Sequence, residues 1–401
     1  MNRWSLPAVA AVVALVAVPQ PALAEPVPKI PSARQCLPPP VASADTVPWA
    51  QQLLAPQRIW SITRGAGVIV GVVDTGVDGG AQQLAGRVLP GRDVRKPGNQ
   101  PANTDCFGHG TFVAGIVGAG PANGTMFAGV APDATILPIR VADDATDTSA
   151  ATLAQGIRAA VDGGARVVNV SASTSAKDAD LEAAVAYAAA HDVLVVASAG
   201  NSAEQGNPTP YPAAFDTVVA VGAVDREGKR ASFSDTGSYL DLAAPGVDVV
   251  SIGPGGPGQW EASGTSYAAP FVAGVAALVR AYHPKLTAAQ VKSRLQATAD
   301  SPPANAPDAA FGWGTVNPAA AVTSVLSQED ATGAVAAPDA ASALAPPVPS
   351  QDRTSGVVVT LSVLGVVLVA ALVLLAVWLV PIGMRRRWRP ARRLEVSAPE
   401  Q

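Results

Sequence analysis

The sequence lacks any surplus of positive charge: 27 lysines and arginines stand against 31 aspartates and glutamates in 401 residues. A nucleic-acid-binding protein carries a basic excess, so that class is excluded and no nucleic acid partner is expected. Internal repeats are absent, which excludes solenoids and propellers. No acidic loop has the spacing of a calcium site, so no metal ligands are assigned and no cofactor is expected. Cysteine is scarce, with only Cys36 and Cys106, and histidine is limited to His109, His191 and His283. Apolar residues, by contrast, make up 49% of the chain, enough for a sizeable core in one large domain with appendages.

The two ends read as export and anchoring signals. Arg3 precedes an uncharged apolar run from Leu6 to Val18, and Ala22-Leu23-Ala24 is a small-x-small cleavage site, so residues 1–24 are expected to be a signal peptide. Gly356 to Val380 holds no charged residue, and about 20 such residues cross a bilayer as a helix. Arg385, Arg386, Arg387, Arg389, Arg392 and Arg393 follow it, against Arg353 on the other side. The positive-inside rule then places the basic tail, 381–401, in the cytoplasm and the rest outside a cell membrane. In an exported chain an even pair of cysteines points to a disulfide between Cys36 and Cys106, with two free thiols as the alternative.

Between the ends lie three regions. Residues 25–48 are Pro-rich without periodicity and read as an extended arm. Residues 49–327 alternate strand and helix patterns. Residues 328–355, rich in Ala, Pro, Asp and Ser, read as a linker. Inside the body, Val68–Val73 is a continuous β-branched run, as in a strand buried on both faces. Arg166–Val170, Val193–Ala197 and Val218–Val224 repeat the pattern, and Ala151–Asp162 shows helical spacing through Leu153, Ile157 and Val161. Such alternation predicts an α/β fold with a mainly parallel sheet flanked by helices, plus one C-terminal transmembrane helix. In such sheets reactive groups gather outside the carboxyl ends of the strands.

Candidate reactive residues fall at those positions. Asp74 follows the first strand in Asp74-Thr75-Gly76, which alone is an ordinary turn opener. His109 sits in Gly108-His109-Gly110-Thr111 before an apolar helix. Ser266 sits in Gly264-Thr265-Ser266-Tyr267-Ala268-Ala269-Pro270, which alone fits a helix N-cap. His191 and His283 lie at helix ends, where a side chain bonding the last carbonyls explains them.

The three blocks in the order Asp, His, Ser resemble the subtilisin-like serine proteases. Matching stretches include Gly67–Asp78, Asp105–Gly118, Arg166–Ser171, Val195–Asn201, Tyr211–Asp225, Phe233–Ser251 and Gly264–Val279. The resemblance implies a catalytic triad of Asp74, His109 and Ser266, with Asn201 as an oxyanion-hole donor. It also implies substrate pairing as an added strand beside Ser171, Ala172 and Ser173. Many subtilisins carry Gly-Gly after this serine-led start, whereas Ser173-Thr174 stands here, which alters the primary specificity pocket. The larger layout resembles the mycosins, membrane-anchored proteases of type VII secretion systems, whose disulfide-tethered N-terminal extension Cys36 and Cys106 would match. That resemblance implies exported proteins as substrates, the membrane and secretion-system subunits as partners, and a complex-stabilising subunit as the alternative role. The arm is too short to be a separately folded inhibitory domain.

Overall fold

The structure, a computed structural model, describes residues 27–31, 35–143, 148–327 and 329. The expected signal peptide, transmembrane segment and basic tail lie outside the described residues, as does the linker apart from Glu329. Among the described residues no helix is long and apolar enough to cross a membrane.

Seven strands form one sheet: β1 (Ile69–Asp74), β2 (Arg92–Asp93), β3 (Thr135–Arg140), β4 (Val167–Val170), β5 (Leu194–Ser198), β6 (Val219–Val224) and β7 (Leu242–Pro245). Their order is β2-β3-β1-β4-β5-β6-β7, and every neighbouring pair is parallel. A separate antiparallel hairpin joins β8 (Val249–Ile252) to β9 (Gln259–Ala262). The helices are α1 (Trp49–Leu54), α2 (His109–Gly118), α3 (Ala150–Asp162), α4 (Ala179–Ala190), α5 (Thr265–Tyr282), α6 (Ala288–Ala297) and α7 (Pro318–Thr323).

The continuous apolar strands have a simple cause. Successive side chains point to opposite faces. Leu194 and Val196 join the core under α2 and α5, while Val193, Val195 and Ala197 join a second core under α3 and α4. Both faces are covered, so no strand position can be polar without a reason. Among the exceptions, Asn169 within β4 is therefore informative, as is the buried Ser171 just beyond that strand. Helix starts follow local chemistry: Ser149 accepts the Thr152 N–H to cap α3, and Asp178 accepts the Leu181 N–H to cap α4.

β3 escaped sequence reading because Pro138 sits within it, and proline argues against an interior strand. Its neighbours explain the tolerance. Thr135 donates to Val68 beside β1, whereas Ile136 exchanges bonds with Arg87 and Leu89 on the outer side. Pro138 shares the parity of Ile136, so its missing N–H faces outward and the β1–β3 ladder stays whole.

The arm behaves as an added strand. Glu261 donates to Pro28 and Ile30 donates back to Glu261, while Gly258 and Gln259 donate to Pro40 and Ala42. A Cys36–Cys106 disulfide, spanning 70 residues of sequence, ties the same arm to the segment before α2.

Candidate active site

Strands β1, β4 and β5 are adjacent, and their carboxyl ends deliver the candidate residues to one edge. Asp74 ends β1, Ser171 follows β4, and Asn201 lies just past β5. Two helix N-termini meet this edge: α2 begins with His109, and α5 carries Ser266 in its first turn. The helices pack side by side across the same core, which fixes the histidine relative to the serine.

His109 Nδ1 lies 2.7 Å from Asp74 Oδ1. The same oxygen accepts the Thr75 N–H at 2.7 Å. Asp74 is 3% exposed, and its Oδ2 is buried with no hydrogen-bond partner among the described residues. A carboxylate in so dry a place attracts an imidazolium more strongly than it would in water. It also fixes the tautomer, because Nδ1 must carry the proton it shares, leaving Nε2 as the base. Tyr267, the residue after Ser266, sets its ring 5.1 Å from the imidazole and 4.7 Å from Phe112. The turn that bears the serine is thus packed directly against the histidine. Burial raises the Tyr267 hydroxyl pKa, so the ring serves as a neutral shelf.

The close approach of α2 to β1 depends on Gly110. A Cβ there would overlap the Gly76 carbonyl and press on Asp74 at 3.1 Å. Asp105 then locks the junction. Its Oδ1 accepts from Thr75 Oγ1 and the Gly108 N–H, and its Oδ2 accepts from the N–H and Oγ1 of Thr111, all within 3.0 Å. Burial pushes the Asp105 carboxyl above its ordinary range, against the pull of the Thr111 and Gly108 donors. Thr75 passes the link onward by accepting the Gly110 N–H at 2.9 Å. Asp105 was missed in the sequence, although an aspartate three residues before Gly108 fits a side chain reaching free N–H groups at a helix start.

On the other side, Asn201 Oδ1 accepts both the N–H and Oγ1 of Thr265, at 2.8 and 2.9 Å. The carboxamide is thereby turned so that Nδ2 lies beside Gly264, 3.6 Å from where a Cβ would stand there. The N–H of Ser266, in the first helical turn, has no acceptor within its own helix. These two donors flank a partly exposed Ser266. The loop bearing Asn201 is gripped from below by Asp235, which accepts the Ser202 N–H at 2.8 Å and donates its own N–H to the Gly200 carbonyl at 3.0 Å. Gly200 has φ +94°, and a Cβ there would overlap the Asp235 carboxylate. Burial raises the Asp235 carboxyl pKa. No local pattern announces Asp235, because its partners lie more than 30 residues earlier.

Of the proposed substrate-side residues, Ser171 and Ala172 are buried and Ser173 is exposed. Both ladders of β4 stop at Val170, and the next pairing is the Thr174–Tyr211 bridge, so 171–173 has no strand partner among the described residues. The Ser171 hydroxyl is turned inward onto the Ser266 carbonyl at 2.7 Å. His191 bonds the Tyr187 carbonyl of α4 at 2.8 Å, as a helix-end residue should. His283 bonds the Val322 carbonyl of α7 instead of its own helix. Among the described residues no cluster of three or more His, Cys, Asp or Glu side chains could hold a metal.

This fold, with an aspartate-bound histidine beside a helix-borne serine, is that of a serine protease. A profile of the subtilase family, peptidase S8, matches residues 65–314, and the chain belongs to that family. It is accordingly a subtilisin-like serine endopeptidase. Within the family it is mycosin-like. It is 38% identical over 316 residues to Mycosin-4 of Mycobacterium tuberculosis, covering 68% of each chain. Subtilisin DY of Bacillus licheniformis is 39% identical, over 64% of this chain and 92% of that one. Among solved structures, the MycP3 protease from the type VII (ESX-3) secretion system superposes with a TM-score of 0.63 at 33% identity, over 74% of this chain and 91% of that one. MycP1 from Mycobacterium smegmatis gives 0.63 at 29% identity, over 75% and 91%.

Proposed function

We propose that this protease cleaves exported proteins outside the cytoplasmic membrane as part of a type VII secretion system, using Asp74, His109 and Ser266. The observation that carries the reading is the part-buried 2.7 Å Asp74–His109 pair, with Tyr267 packing the serine's helical turn against the imidazole. Ser266 Oγ attacks the scissile carbonyl while His109 Nε2 takes its proton and then passes it to the leaving amine. Asp74 holds the tautomer and stabilises the imidazolium. Asn201 Nδ2 and the Ser266 N–H receive the oxyanion. The substrate lies as an added strand along 171–173, whose ladder positions are open. The membrane-facing role rests on the apolar 356–380 segment and the arginines after it. It is further supported by the likeness to Mycosin-4 and to the MycP3 protease from the type VII (ESX-3) secretion system.

The test uses the full chain in its native membrane. A fluorophosphonate probe is expected to label the wild type and not Ser266→Ala, and at least one exported protein is expected to change length in that variant. Absence of labelling in the wild type would overturn the triad assignment. Secretion that survives Ser266→Ala but not loss of the whole protein would make stabilisation of the secretion complex the dominant role.

A further inference from the structure

Helix α5 contains a proline, Pro270, near the serine it carries. In an α-helix each carbonyl accepts from the N–H four residues on. For Ser266 that donor would belong to residue 270, and proline has none. The nucleophile's own carbonyl is therefore deprived of its ordinary partner. Another donor reaches it: the hydroxyl of Ser171, 95 residues away in sequence and 1% exposed, bonds the Ser266 carbonyl at 2.7 Å. Asn169, fully buried in β4, donates Nδ2 to Ser171 Oγ at 2.8 Å. A hydroxyl has one proton, so a Ser171 that accepts from Asn169 while bonded to a carbonyl must donate to that carbonyl. Val167, Asn169 and Ser171 share one strand parity, the face that packs on α5. Asn169 Oδ1 meanwhile stays buried with no partner among the described residues. A polar group kept in the core at that cost is there for its other end.

We infer that Ser171 is a positioning residue for the nucleophile, supplying through its hydroxyl the hydrogen bond that Pro270 removes. The relay runs from the rigid sheet to the Ser266 peptide. It fixes the carbonyl, and with it the torsions that aim Oγ at His109 and the N–H at the oxyanion. This inference rests on the reading of Ser266 as nucleophile. It assigns the Ser171 side chain a duty separate from any backbone pairing with substrate. A misplacement of about 1 Å at a reacting group can cost about 100-fold in rate.

The experiment is a double-mutant cycle on the full chain with a peptide substrate. Ser171→Ala is expected to lower kcat about 10- to 100-fold with little change in KM. Pro270→Ala restores an N–H four residues after Ser266, so Ser171→Ala/Pro270→Ala is expected to recover at least about tenfold in kcat over Ser171→Ala. Hydrogen exchange of the 262–275 segment supplies an arm independent of turnover: faster in Ser171→Ala, and restored in the double variant. A loss equal in both proline backgrounds, or kcat of Ser171→Ala within about twofold of wild type, overturns the proposal. Failure of the triad reading would show differently: no Ser266-dependent turnover in the wild type, with the exchange pattern intact.

Discussion

The two halves of the site are built on different principles. The α2 half, around Asp74 and His109, is sealed below the imidazole: Asp105 alone gathers four donors from three residues of two segments, although Asp74 Oδ2 has no partner among the described residues. The α5 half, around Ser266 and Asn201, is open. Asn201 is exposed, its loop is held by two bonds from Thr265 and two with Asp235, and its Nδ2 makes no hydrogen bond among the described residues. The difference fits what each half does in the proposed mechanism. A general base needs one tautomer and one orientation, which a dry, over-determined network provides. Oxyanion donors must be aimed yet unspent until substrate arrives, so their support has to come from behind.

The largest effect is expected at Asp74. Asp74→Asn keeps the shape but places an amide against Nδ1, favouring the tautomer that cannot act as base. A kcat loss of about 10⁴-fold is expected, with thermal unfolding little changed. Burst kinetics with an activated ester would check that acylation is the step lost. A loss under about 100-fold would mean the sealed half does not control the tautomer.

A smaller effect is expected on the open side. Asn201→Ala removes one oxyanion donor and should cost about 100- to 1000-fold in kcat, with KM nearly unchanged. Fluorophosphonate labelling should slow but persist, because Ser266 and His109 remain. Comparable loss in KM instead would make Asn201 a substrate-binding residue rather than a transition-state donor.

The sealed half was the more legible in sequence. Asp74 and His109 each stand where a strand ends or an apolar helix begins, beside glycines whose need is local. The parallel sheet was readable for the same reason: both of its faces are buried, so β1, β4, β5 and β6 appear as apolar runs. β3 was hidden by Pro138, whose tolerance depends on which neighbour its missing N–H faces, a fact of strand order. Like those of Asp74 and His109, the roles of Asn201 and Ser266 were reached through resemblance to a family. Their supports, Asp235 and Ser171, join chain segments about 30 and 95 residues apart. No periodicity spans such distances, and an aspartate in Ser234-Asp235-Thr236 reads as an ordinary loop.

Asp235 is expected to give the smallest and most selective effect. If the open half is aimed from behind, removing this carboxylate should disturb the oxyanion donor and little else. Asp235→Ala frees the Ser202 N–H and leaves space under Gly200, so the Asn201 loop gains freedom on both flanks. A kcat loss of about tenfold is expected, smaller than deletion of the donor itself because Thr265 still holds the Asn201 carbonyl oxygen. The decisive measurement is the same substitution in an Asn201→Ala background. A residue that works by aiming Asn201 has nothing left to aim, so the second loss should vanish. Asp235→Asn, which keeps an oxygen for the Ser202 N–H, should recover most of the rate. Equal losses in both backgrounds would instead show that Asp235 merely supports the fold, and that the open half owes its aim to Thr265 alone.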